Sequence, residues 1–164
     1  MNDDEALNRL AKTVAVRLAE RGQWLATAES CTGGWIAKCL TDIAGSSGWF
    51  ERGLVSYSNR AKGELLGVPE ATIARFGAVS EQTARAMTDG VLVHAPVDHA
   101  IAVTGIAGPG GGTADKPVGT VWIAWQTRGG DAQARQFRFD GDREQVRRET
   151  VGAALAGLIA RLDG

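Results

Sequence analysis

Ser30 and Lys62 are the residues whose types and surroundings offer the clearest chemistry in this 164-residue chain. Ser30 ends the apolar run from Trp24 and opens a polar turn, Ala28-Glu29-Ser30-Cys31-Thr32-Gly33-Gly34, that leads into a helical pattern. A serine there could attack a carbonyl carbon, and the amides of Cys31 to Gly33 could hold the resulting oxyanion. The same amides could instead hold a phosphate, because a helix start presents unpaired N–H groups and partial positive charge. Serine before a helix is also an ordinary cap. Cys31 is a rival nucleophile, but no histidine lies near it in sequence, and burial as a small apolar residue accounts for it equally well.

A nucleophilic serine needs a base. Of the four lysines, Lys12 and Lys38 belong to amphipathic helical patterns, whereas Lys62 and Lys116 sit beside polar loops. A lysine can serve as the base once burial or a neighbouring cation brings its pKa down from about 10.4. The stretch Tyr57-Ser58-Asn59-Arg60-Ala61-Lys62 sets Tyr57 and Asn59 beside Lys62, and Lys116 stays open as a second candidate. The histidines are His94 and His99, one in a helical pattern and one opening a strand, so a Ser-His-Asp triad is not expected. No His/Cys/Asp/Glu spacing suggests a metal site.

Two further segments suit ligand binding. Thr104-Gly105-Ile106-Ala107-Gly108-Pro109-Gly110-Gly111-Gly112 begins a glycine-rich loop that runs to Gly119. Glycines let backbone amides approach an anion closely. The loop has neither the GK[ST] ending of an ATP-binding loop nor the G-x-G-x-x-G spacing of a dinucleotide fold. Arg143, in Gly141-Asp142-Arg143, could meet a phosphate through two N–H groups at once.

The elements that must position these groups alternate in type. Residues 3 to 21 carry Leu7, Leu10, Val14 and Leu18 at helical spacing and close on Gly22. A strand is expected over Trp24 to Ala28, then a helix from the Gly33-Gly34 pair to about Ile43, then a strand over Trp49 to Ser58. Three helices should fill Asn59 to Ala95, broken near Gly67-Val68-Pro69 and Phe76-Gly77, with Ser80 capping the last. Strands follow over Asp98 to Thr104, Thr120 to Thr127 and Gln133 to Phe139, the last two joined at Arg128-Gly129-Gly130-Asp131. Asp142 with Gln145 forms a capping-box pattern for a final helix to about Leu162. This order predicts one domain with the α/β class, a three-layer α/β/α sandwich around a mixed sheet of about five strands. Ligands in such sheets bind where loops leave the carboxyl ends of strands, which is where Ser30, Tyr57 to Lys62 and Gly105 to Lys116 fall.

Composition narrows the partner. Eighteen basic against nineteen acidic residues give a net charge of -1, so attraction to nucleic acid or an anionic membrane is not implied and a small molecule is the expected ligand. The acidic start MNDDEALNRL lacks the features of a secretory signal, and Cys31 and Cys39 form no disulfide framework, which suggests a cytoplasmic protein.

Taken together the motifs resemble the nicotinamide-nucleotide amidohydrolase family, also known as the C-terminal domain of the competence-induced protein CinA. They are AESCTGG at Ala28 to Gly34, YSN-x-x-K at Tyr57 to Lys62, GAVS at Gly77 to Ser80, TGIAGPGGG at Thr104 to Gly112, KPVGTV at Lys116 to Val121 and GDR at Gly141 to Arg143. The resemblance spans about residues 5 to 162 and is similar to the stand-alone form of the family. It implies hydrolysis of nicotinamide mononucleotide to nicotinate mononucleotide and ammonia in pyridine-nucleotide salvage, without a cofactor. It places a serine and lysine dyad on Ser30 and Lys62. Tyr57 is expected to orient the dyad. The expected substrate contacts are Thr32, Gly33, Asn59, Thr104, Gly105, Gly108 and Arg143, and a homodimer is the expected assembly. The rival readings are a phosphohydrolase acting on another nucleotide and a regulatory module that binds a nucleotide without turnover.

Overall fold

The computed structural model describes residues 2–164. Its elements, in chain order, are α1 Asp4–Arg21, β1 Leu25–Glu29, α2 Trp35–Thr41, a short 3-10 turn at Ser46–Gly48, β2 Phe50–Val55, α3 Asn59–Leu66, α4 Glu70–Phe76, α5 Glu81–His94, β3 His99–Gly105, β4 Thr120–Thr127, β5 Gln133–Arg138 and α6 Arg143–Asp163. The caps read from the sequence at Gly22, Ser80 and Asp142 are present, and Ser58, expected to end a strand, is a further one. Gly22 ends α1 with φ 62°, and the Ser58, Ser80 and Asp142 side chains accept from Ala61, Thr83 and Gln145 amides.

The five strands form one mixed sheet in the order β2-β1-β3-β4-β5. The first three are parallel, and β4 and β5 run antiparallel beside β3. The chain therefore leaves β1 toward β2 on one side and reaches β3 on the other. That reversal opens a crevice at the carboxyl ends of the parallel strands.

Strand alternation sends side chains to two cores. Leu25, Ile101, Val103 and Ile123 pack with Leu7, Val14 and Leu18 of α1 and with Val151, Leu155 and Leu158 of α6. Ala26, Ala28, Ala100 and Ala102 face the other way, toward Leu66 of α3 and Met87 and Val91 of α5. Small residues on that face bring α5 close to the sheet. Gly90 brings it equally close to α3, since a Cβ at Gly90 would lie 2.0 Å from the Leu66 carbonyl oxygen. The three-layer α/β expectation is correct.

The structure revises some boundaries. β1 runs one residue later than expected because Glu29 still pairs in the ladder, opposite Val55 and Val103. β2 stops at Val55, since Ser58 already serves as the cap of α3. α2 starts at Trp35 rather than at the glycine pair, because Gly33 and Gly34 adopt positive φ of 60° and 103°.

Candidate active site

Lys62 is where packing and chemistry meet. Ser58 starts α3, so Lys62 falls one turn inside the helix and shares its buried face with Leu66, four residues on. Its side chain is only 1% exposed. The ammonium donates to the Tyr57 carbonyl at 2.9 Å and lies 3.0 Å from Ser30 Oγ, while Ser30 Oγ donates to the same carbonyl at 3.3 Å. Burial pushes the Lys62 pKa below its ordinary value, since removing water penalises the charged form.

Ser30 leaves the end of β1, anchored by its own amide to the Val103 carbonyl of β3 at 3.1 Å. Beside it, Cys31 is buried, and that burial pushes its thiol up to about 12, with the Glu29 carboxylate adding to the effect. A thiol in that state carries little thiolate near neutral pH.

Around the pair lies a cleft of about 290 Å³. Ser30, Tyr57, Asn59, Lys62, Thr104, Gly105, Gly108 and Arg143 all line it, together with Cys31 and with Val79 from the loop before α5. The fold thus gathers most residues singled out from the sequence into one crevice, at the exits of β1, β2 and β3. Arg143 reaches it from the first turn of α6, donating to the Gly108 carbonyl at 2.7 Å and to the Tyr57 hydroxyl at 3.3 Å. Gly105 is demanded by close packing, since a Cβ there would lie 2.6 Å from Val121 Cγ2 and 3.2 Å from Cys31 Sγ. The lining contains no carboxylate, and its basic side chains are Lys62 and Arg143.

Three expectations change. Thr32 is fully buried and does not line the cleft; its hydroxyl donates to Glu29 Oε1 at 2.5 Å. Gly33 lies on the α6 side of the turn, against Arg147, and its amide is committed to the Ser30 carbonyl at 3.1 Å. The start of α2 does not offer its amides to a ligand. The Glu29 carboxylate already accepts from Ile36 and Ala37 at 2.8 and 3.0 Å, capping the helix from beneath. Tyr57, for its part, accepts from Ser30 Oγ and Lys62 Nζ through its main-chain carbonyl, while the residue as a whole is 58% exposed at the rim. Lys116 Nζ donates to the Phe76 carbonyl at 2.7 Å and does not line the cleft, which leaves Lys62 as its lysine.

Glu29 and Arg147 are the residues that sequence reasoning missed. An acid ending an otherwise apolar strand, directly before a glycine-broken helix start, was a readable signal for the first. Arg147 sits four residues after Arg143, hence on the same face of α6, and reaches the turn after Ser30.

A mixed sheet with this reversal, carrying a buried lysine against a serine at the exit of β1, defines an α/β protein of hydrolase-like site geometry. The chain belongs to the CinA C-terminal domain family, whose model it matches over residues 7–162. It is 52% identical over 155 residues to nicotinamide-nucleotide amidohydrolase PncC of Escherichia coli (strain K12), covering 94% of each chain. It is also 52% identical over 158 residues to a CinA-like protein of Geobacter sulfurreducens, covering 96% of this chain and 38% of that longer one. Among solved structures, the competence/damage inducible protein CihA from Agrobacterium tumefaciens superposes with a TM-score of 0.93 at 46% identity, covering 100% of this chain and 98% of the other.

Proposed function

We propose that this protein is an amidohydrolase that converts nicotinamide mononucleotide to nicotinate mononucleotide and ammonia, with Ser30 as nucleophile and Lys62 as proton carrier. The observation that carries the reading is the 3.0 Å approach of a lysine 1% exposed to the Ser30 hydroxyl. An amine held there by burial alone, with no carboxylate in the cleft to stabilise its charge, is driven toward the neutral base that a serine nucleophile requires. The names of the relatives supply the substrate class.

In the proposed sequence the Ser30 oxygen bonds to the carboxamide carbon, and Lys62 takes the hydroxyl proton. The C–N bond then breaks as the Lys62 ammonium passes that proton to the departing nitrogen, releasing ammonia. Water, deprotonated by the again neutral Lys62, attacks the acyl ester and returns Ser30 and the carboxylic acid. The Tyr57 carbonyl orients both partners of the dyad. Arg143 and the backbone of Thr104, Gly105 and Gly108 receive the ribose and 5′-phosphate, and Asn59 flanks the ring. Recognition of the phosphate rests on this side chain and the glycine loop, because the amides of α2 are occupied by Glu29.

The test is ammonia release from nicotinamide mononucleotide by wild type, Ser30→Ala and Lys62→Ala, with a chelator control. Turnover by wild type alone, at least about 10³-fold above either variant, is expected from the loss of a nucleophile or its base. Absence of turnover in a folded wild type that binds the nucleotide would replace this reading with that of a binding module.

A further inference from the structure

The turn that follows Ser30 is strapped from outside the cleft by one side chain. Arg147 Nε donates to the Cys31 carbonyl at 3.0 Å, and Arg147 Nη2 donates to the Thr32 carbonyl at 3.2 Å. The guanidinium also lies over the Trp35 ring, 5.8 Å from its centroid. Gly33 makes the approach possible: at φ 60° it has no side chain, and a Cβ there would sit 3.3 Å from Arg147 Nη2.

Each peptide unit joins the carbonyl of one residue to the amide of the next, pointing in opposite directions. The Cys31 carbonyl held by Arg147 therefore turns the Thr32 amide away from α6. The Thr32 carbonyl shares its unit with the Gly33 amide, which donates to the Ser30 carbonyl at 3.1 Å. That carbonyl in turn shares its unit with the amide of Cys31, a residue that lines the cleft. Among the described residues, neither the Cys31 nor the Thr32 amide donates to another residue. Hydrogen bonds in series polarise one another, and a cation at one end strengthens the donor at the other.

We infer that Arg147 is a positioning residue that fixes and polarises the turn after Ser30, so that the Cys31 amide becomes the donor to the oxyanion of the tetrahedral intermediate. The inference rests on the reading of Ser30 as nucleophile. Positive charge thereby reaches the reacting oxygen through two peptide units, while the arginine itself stays outside the cleft and adds no bulk to it. Arg143, one turn earlier on α6, serves the ligand directly. The first two turns of α6 thus carry one arginine for recognition and one for chemistry.

The experiment compares wild type, Arg147→Gln and Arg147→Lys, with Ser30→Ala as blank. Three readings are taken: kcat and KM for nicotinamide mononucleotide, the Ser30-dependent burst with p-nitrophenyl acetate, and the affinity for nicotinate mononucleotide. Removing an oxyanion donor outright costs about 10²- to 10³-fold, so weakening that donor predicts a fall of about 10- to 100-fold in kcat and in the ester burst for Arg147→Gln. KM and product affinity should stay within about threefold of wild type, because a planar acid or amide develops no oxyanion. Arg147→Lys keeps a cation over Trp35 but cannot hold both carbonyls, and should fall between the other two; added guanidinium should restore part of the burst in Arg147→Gln. An ester burst unchanged in Arg147→Gln, a loss of product affinity as large as the loss of kcat, or a wild type with no Ser30-dependent burst would each overturn the inference. A wild type that acylates Ser30 with the ester but releases no ammonia from the nucleotide would refute the proposed substrate alone, and the ester comparison would still decide the role of Arg147.

Discussion

In Lys62→Met the buried ammonium is exchanged for an apolar side chain of nearly the same length, and the consequences for stability and activity are expected to run in opposite directions. An ammonium removed from water costs several kcal/mol. Against this the native lysine makes two hydrogen bonds, to Tyr57 O and Ser30 Oγ, each contributing about 1 kcal/mol net. The Tyr57 carbonyl is not orphaned by the exchange, since Ser30 Oγ still donates to it. The variant should therefore be more stable by about 1 to 3 kcal/mol at neutral pH, raising the melting temperature by roughly 2 to 12 °C for a domain of this size. Catalysis should be lost.

The same exchange makes a pH prediction with a definite sign. Because burial lowers the Lys62 pKa, the unfolded chain holds the proton across the window from the folded value up to about 10.4, where the folded chain has released it. Wild type gains stability as pH rises through that window, and Lys62→Met does not. The advantage of the variant should be greatest below the folded pKa of Lys62 and shrink as pH rises from there toward about 10.4. Urea unfolding of both proteins across this range measures the difference, in which other titrating groups cancel. A variant less stable than wild type at pH 7, or a gap constant with pH, would refute the claim that Lys62 is held against its own desolvation.

Glu29→Gln replaces a carboxylate that accepts three hydrogen bonds with a group that must point an NH2 at one of those donors. Loss of a charge-assisted bond and of the charge at the start of α2 should cost about 2 to 5 kcal/mol, read as a fall of roughly 4 to 20 °C by calorimetry. Gly90→Ala should push α3 away from α5, since the added Cβ would meet the Leu66 carbonyl at 2.0 Å. Both the melting temperature and kcat should drop, because α3 carries Lys62; a variant that melts lower with unchanged kcat would show that the Ser30 to Lys62 distance tolerates this shift.

Much of this architecture was legible because it is local. The caps Ser80 and Asp142, the glycine stops and the alternating strands each act within a few residues; Ser58, expected to end a strand, is the cap that sets the phase of α3 and buries Lys62 with Leu66. The assembly of Ser30, Tyr57, Lys62 and Gly105 at the carboxyl ends of the parallel strands followed from their positions at or shortly after the exits of β1, β2 and β3. The turn after Ser30 was less readable. Its backbone is governed by Glu29 from below and by Arg147 from a helix 116 residues away, and no spacing announces a contact between elements so far apart. The helix start promised free amides, but the strand ending one residue later put the Glu29 carboxylate where the Ile36 and Ala37 amides point, and the Gly33 amide turns to the Ser30 carbonyl.

Glu29 also has a consequence for how the protein could change. Helix amides cannot be altered by substitution, so a site that used them for phosphate would have its appetite for anions built into its backbone. Here the Ile36 and Ala37 amides are already taken by Glu29, and in the proposed reading the side chain that meets an anionic ligand beside the glycine loop is Arg143, exposed and on a different helix from Lys62. Reaction centre and ligand preference are therefore separable parts: a lineage could exchange one residue at the mouth of the crevice and address a different amide while inheriting its chemistry intact.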